Sequence, residues 1–173
     1  MSSLSHQFQK TEAQRREVMS LLESLDGEQR ARKAAPSDWS PLQIAVHLML
    51  GYETVGSTEW AKSQRERSGR AARPRPMLFR LAVWAMRRNV RLPLPSDAVE
   101  PGGSIFWPQL QERWDRASSA MQSAIETREA GDDSHRPFDH PVVGALSARD
   151  MLLLNRVHNA YHLRQLKNLL RAR

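Results

Sequence analysis

The sequence predicts an all-α fold, a four-helix bundle with a long crossover connection between helices 2 and 3 that carries a short extra helix. Three observations predict it. Four long segments repeat apolar residues at three- and four-residue intervals; no segment shows a convincing strand-like alternation; and a 36-residue stretch broken by proline and glycine separates the middle two. The whole chain, residues 1–173, reads as one domain, long enough to bury a sizeable core without covalent staples.

The first helix is expected from about Ser5 to Leu25, with Phe8, Val18, Leu21, Leu22 and Leu25 on its apolar face and "LDGEQ" as its stop. The second opens at "PSDWSPLQIAVHL". Ser40 can cap the first free backbone N–H groups, Pro41 sits where a missing N–H costs nothing, and Gln43 completes a capping box. This helix carries Ile44, His47, Leu48, Tyr52 and Val55, and should fade near Arg65.

Residues 68–103 form the connection. Its own short helix is "MLFRLAVWAMRRNV", and the flanks "ARPRP" and "RLPLPSDAVEPGG" forbid a continuous helix. A link of that length is too long for adjacent antiparallel helices and can instead travel the length of the bundle. The third long helix is expected over about Ile105 to Glu129, with Trp107, Leu110, Trp114, Ala117, Met121 and Ile125 on one face. After a loop, "SHRPFDHPVVGAL", the last helix should start at Ser147, with Asp150 in a capping-box position, and run to about Leu170.

Composition narrows the function classes. There is no cysteine, which excludes disulfides and thiolate metal sites and suits a reducing cytoplasm, the expected location. The first residues lack the apolar core of a secretory signal, and no apolar run approaches the roughly 20 residues that span a bilayer. The net charge of +7 is local: residues 62–91 hold ten Lys or Arg and one acid, so this segment is +9 and the remainder −2. Such a patch can meet an acidic partner or serve as a solvated connection. Nucleic acid is disfavoured, because the segment has no recognition-helix layout and only Phe79 and Trp84 as aromatics.

The last helix carries an inward stripe of Met151, Leu154, His158, His162, Gln165 and Leu169. Two histidines four residues apart share one face, where each needs a partner and two protonated rings would repel. A divalent cation answers both needs by taking the neutral rings through their lone pairs. A pair of satisfied core histidines is the competing reading. His47 lies on the apolar side of the second helix, and in a bundle it can face His158 and His162. Three imidazoles around a tetrahedral ion leave one open position, the mark of a catalytic rather than a structural site. Proton competition should weaken cation binding below about pH 6.5. Gln165, Asn155 and Tyr161 are candidate supporting or substrate-contact residues, with helix packing as the alternative. Of the remaining histidines, His6 lies near the N-terminus, and His135 and His140 fall in a loop as surface or turn residues, with His140 able to reach a site mouth.

At "WSPLQIAVHL" and "DHPVVGALSARDMLLLNRVHNAYHLRQL" the chain resembles the DinB-like (DinB/YfiT-like) metal-binding four-helix bundles. Their pattern places a tryptophan and a helix start before a first histidine, then H-x-x-x-H near the C-terminus followed by a glutamine. Here those positions are Trp39, His47, His158, His162 and Gln165. The resemblance covers the helical layout, and its specific motifs about a quarter of the chain. It implies a divalent metal held by His47, His158 and His162; all-nitrogen ligation suits zinc, nickel, iron or copper, with zinc or nickel expected. It also implies a small-molecule substrate, a low-molecular-weight thiol in some relatives, with transferase or isomerase chemistry. No residue here identifies a thiol cofactor, and no catalytic residue is assigned. Arg164 or the basic segment could take a substrate carboxylate, with a surface charge as the favoured alternative for each. A hydrolase and a homodimer are compatible with the reading; a binding protein that uses residues 62–91 is its competitor.

Overall fold

A computed structural model describes residues 3–56, 73–90, 92, 99–102, 105–129, 136 and 138–171. The helices are α1 (Leu4–Glu23), α2 (Gly27–Ala31), α3 (Pro41–Gly56), α4 (Pro76–Arg87), α5 (Trp107–Glu129) and α6 (Ala148–Arg171); a hairpin of β1 (Phe138–His140) and β2 (Gly144–Leu146) precedes α6.

The bundle consists of α1, α3, α5 and α6 around a core of fully buried side chains. Phe8, Val18 and Leu22 come from α1, Leu48, Met49 and Tyr52 from α3, Leu110, Trp114, Met121 and Ile125 from α5, and Leu152 and Leu166 from α6. Each large apolar side chain withdrawn from water contributes about 1.5–3 kcal/mol. Polar contacts orient the helices. Tyr52 bridges Thr11 and Asn159, and Glu17 pairs with Lys167 further along both helices, so α1 and α6 run the same way. Arg15 pairs with Asp115, while Arg30, bonded to the Leu22 carbonyl at the end of α1, covers Trp107 at the start of α5; α1 and α5 therefore run oppositely.

The helix starts follow the expected chemistry. Ser40 Oγ accepts from the Gln43 N–H and Gln43 Oε1 accepts from the Ser40 N–H, closing the capping box of α3. Ser147 Oγ accepts from the Asp150 N–H, but Asp150 turns its own carboxylate to Arg136. Helix α5 starts at Trp107 rather than Ile105, because Pro108 tolerates only the first turn. The stop "LDGEQ" is also a start: Asp26 and Gln29 form a capping box and nucleate α2, a turn too short to show a period.

Helix α4 is the short helix expected in the connection. Pro76 occupies its first turn, and it ends in a Schellman motif, with Asn89 left-handed at φ 58° and the Val90 and Asn89 N–H groups donating to the Ala85 and Met86 carbonyls. The stretch from Arg65 back to residue 57, where the second helix was expected to fade, lies outside the described residues, as does much of the path that a crossover would take.

The expected loop before α6 contains the hairpin, pairing Phe138 with Leu146 and His140 with Gly144. Three-residue strands are too short to register as an alternation. Gly144 has φ 77°, and a Cβ there would stand 2.1 Å from the Arg73 carbonyl oxygen, so only glycine lets the hairpin dock against the start of α4. No helix among the described residues is long and apolar enough to cross a membrane.

Candidate metal centre

The stripe on α6 faces inward and borders a cavity of about 1000 Å³ at the edge of the core: Met151, Leu154, His158, His162, Gln165 and Leu169 all line it, while Met151 also belongs to the core and Leu154 and Leu169 pack against it. The core side of the same helix is carried by Leu152, Asn159, Leu163 and Leu166. From α3 the cavity receives Ile44 and His47, and from α4 Leu78, Leu81 and Met86.

His47, His158 and His162 meet at one point of its wall. The Nε2 atom of His158 lies 2.9 Å from that of His47 and 3.0 Å from that of His162. One ligand atom from each ring falls within 4.8 Å of the other two. His47 and His162 are buried; His158 keeps partial access through the cavity. Trp39, just before α3, places its ring 4.8 Å from that of His47 and stacks at 6.1 Å on His162, screening the cluster on one side.

The opposite ring nitrogens decide which proton sits where. His47 Nδ1–H donates to the Val99 carbonyl at 2.6 Å, and His162 Nδ1–H donates to Gln165 Oε1 at 2.8 Å. A neutral imidazole has one N–H, so the Nε2 atoms of His47 and His162 both present lone pairs to His158. His158 Nε2 can hold one proton and satisfy one neighbour. The three convergent nitrogens thus share at most one hydrogen, and lone pairs face one another at hydrogen-bond distance. Orientation of ligand rings by a carbonyl or amide oxygen at the far nitrogen is the arrangement that metal-binding histidines need.

Electrostatics keeps the rings neutral. Burial pushes His158 well below the ordinary imidazole value, and the neighbouring His162, His47 and His140 push it further. Burial, helped by His47 and opposed by the Gln165 hydrogen bond, lowers His162 to about 3. His47 is lowered by burial against the opposing pull of Val99. Depressed values leave the lone pairs available at neutral pH, where an exposed histidine is only partly so.

Of the other candidate residues, Gln165 touches the cluster directly, through His162. Tyr161 is buried beside it, its ring edge-on to His162 at 4.9 Å. Asn155 lines the cavity one turn before His158, and its buried Oδ1 has no partner among the described residues. Arg164 donates to the Met86 carbonyl and ties α6 to the end of α4. His6 is exposed near the start of α1, and His135 lies outside the described residues. His140 does reach the site: it is half-buried, lines the cavity, and is lowered to about 4 by burial.

One participant escaped sequence reasoning. The Val99 carbonyl leaves no trace in side-chain identity, because any residue could supply it. That His140 can reach the site mouth is legible in the sequence; the hairpin is what puts it in the cavity wall.

A family model of the DinB superfamily matches residues 10–166. The chain belongs to the DinB superfamily. Among solved structures it is similar to TT2238, described as a four-helix bundle protein, with 18% identity, a TM-score of 0.59, and coverage of 96% of this chain and 99% of that one. That likeness carries the fold. No curated protein matches. In this DinB superfamily chain the three histidines could hold a metal ion, and the donor set fits one: all-nitrogen ligands, neutral, with their lone pairs aimed inward.

Proposed function

We propose that this DinB superfamily protein binds a divalent cation, zinc or nickel, through His47, His158 and His162, and uses the remaining position to activate a small molecule. The observation that carries the reading is the pair of fixed tautomers: Val99 and Gln165 hold the Nδ1–H groups of His47 and His162, so both Nε2 lone pairs converge on His158 Nε2. When bound, such a cation is a Lewis acid that lowers the pKa of a coordinated water or thiol toward neutrality.

The chain's own residues do the rest. The cavity admits a substrate beside the cluster, with Leu78 and Leu81 of α4 on one side and Leu154 and Leu169 of α6 on another. Trp39 and Tyr161 limit water around the ligand rings. The reaction class proposed is a metal-dependent transfer, with a low-molecular-weight thiol as one reactant, or hydrolysis. The location proposed is cytoplasmic.

Elemental analysis of protein purified without added metal tests the cation. About one equivalent is expected in the wild type and a loss in each of His47→Ala, His158→Ala and His162→Ala. Stoichiometric metal in all three variants would remove the proposal. Turnover of a thiol with an electrophilic acceptor, dependent on the added cation, tests the chemistry.

A second reading rests on α4. It exposes Met77, Leu81 and Trp84, and the nearby Arg73, Arg75, Arg80, Arg87 and Arg88 are also exposed. An apolar face rimmed by cations suits an acidic partner or a second copy of the chain. A salt-sensitive association abolished by replacing Arg80, Arg87 and Arg88 with glutamate, in protein that keeps its cation, would favour it.

A further inference from the structure

We propose that His140 is the hydrogen-bond donor of the site, its Nε2–H directed at an anionic group that fills the open side of the three-histidine centre. The proposal rests on the reading of that centre as a cation site.

Four histidine rings line the cavity, and His140 differs from His47 and His162 in what its Nδ1 meets. In His47 and His162 the Nδ1 faces an oxygen, Val99 O or Gln165 Oε1, and must carry the proton. In His140 the Nδ1 faces two backbone N–H groups: Val142 and Val143 donate to it at 3.2 and 3.3 Å. It therefore accepts, carries no proton, and leaves the single N–H of the neutral ring on Nε2. An Nε2 that bears hydrogen has no lone pair for a metal. Moving the proton to Nδ1 would set an N–H against two other N–H groups and forfeit both bonds. The hairpin thus makes His140 unfit as a fourth ligand and fit as a donor.

Its position agrees. β1 and the turn that follows bring His140, Pro141, Val142 and Val143 into the cavity wall, and Nε2 makes no hydrogen bond with the described residues. His140 is within electrostatic reach of His158, the ligand ring with partial access to the same cavity. Three lone-pair donors and one N–H donor around a single space suit a small anion: the nitrogens take the cation, and His140 takes part of the charge of whatever completes the site. The donor is preorganised by backbone, so it need not reorient when an anion arrives.

Two substitutions separate the donor from the hairpin. His140→Asn keeps an acceptor where Nδ1 stood, holds the Val142 and Val143 N–H groups, and removes the Nε2–H. His140→Gln places an amide N–H near the former Nε2. The probe is azide, titrated into the full-length cobalt(II)-loaded protein and followed by the visible d–d bands of the metal. Wild type and both variants are expected to take up one equivalent of cobalt. Azide affinity should fall about tenfold in His140→Asn, the worth of one charge-assisted hydrogen bond, and stay within about threefold of wild type in His140→Gln. Azide bound equally well by His140→Asn overturns the proposal and leaves the cation site standing. Loss of cobalt from His140→Asn also overturns it, by making His140 a ligand or a support of one. No cobalt uptake by the wild type overturns the cation site and this proposal together.

Discussion

Helices α3 and α6 enclose two buried polar groups within about two turns of each other, and they are built on opposite principles. At the first, His47, His158 and His162 turn three ring nitrogens toward one point beside a cavity. At the second, Tyr52 donates to the Thr11 carbonyl, Asn159 donates to Tyr52, and Glu12 pairs with Arg15, which also reaches Asp115. Each of those bonds runs from a donor to an acceptor, while Glu12 Oε1 and Asn159 Oδ1 are buried without a partner among the described residues. Burial raises the Tyr52 hydroxyl above its ordinary value, as expected of a phenol kept neutral in a core. The histidine cluster instead has lone pairs meeting lone pairs, which no rearrangement of its own protons can satisfy. Burial of polar groups, some of them unpartnered, is shared by both regions; the convergence of three ring nitrogens on one point is what points to a ligand at the first.

The largest expected effect breaks the first region and spares the second. His158→Ala should reduce bound zinc from about one equivalent to below about one tenth, measured by elemental analysis after gel filtration, because two rings alone hold the ion weakly. Circular dichroism should show the helices unchanged, since His158 borders a cavity rather than the packed core.

Next comes Gln165→Leu, which removes the oxygen from His162 Nδ1 and frees that ring to take the other tautomer. Zinc affinity should weaken by about 10–100-fold, as read by competition with a chromophoric chelator. An unchanged affinity would mean that the tautomer is held without Gln165.

The second region gives the opposite pattern. Tyr52→Phe leaves the Asn159 amide without its partner and should lower stability by about 1–3 kcal/mol in urea denaturation, with zinc uptake unaltered. A loss of zinc in this variant would join the two regions into one network.

The smallest effect, spread over a range of pH, sharpens the comparison through its sign. The folded-state values of His47, His158 and His162 are all depressed, so the unfolded chain binds protons that the folded, metal-free protein refuses. Stability present above about pH 6.5 is therefore lost progressively as pH falls toward 3, the value to which His162 is lowered. Denaturant midpoints of metal-free protein should fall between pH 6.5 and 5, and the slope should flatten in a variant with all three histidines replaced. The same depression revises the expected proton competition: the folded rings resist protonation, so cation affinity should persist below pH 6.5, where free histidines would already be losing theirs.

Much of this was legible before any coordinates. The long helices follow from apolar spacing, and the starts of α3 and α6 from Ser40 with Gln43 and from Ser147. His47, His158 and His162 were legible as a set because their helical positions share faces. The hairpin and α2 were not: each is shorter than the window over which a period can be seen, and Asp150, set to close its capping box, spends its carboxylate on Arg136 instead. Arg164 reads from the sequence as a surface charge or a substrate contact, because a cation on a helix face looks the same whether it meets solvent or a distant carbonyl.

Local chemistry in the chain determined which segments are helical, where they begin, and which three imidazoles could meet. Those properties depend on neighbours a few residues away, and spacing encodes them. Only the tertiary structure decided that the histidine stripe borders a cavity, that Val99 and Gln165 direct two lone pairs inward, and that the Val142 and Val143 amides direct the His140 proton outward. Protonation at a ring nitrogen is set by the atom opposite it, and among these partners three are backbone groups, the Val99 carbonyl and the Val142 and Val143 amides, that residue identity does not record.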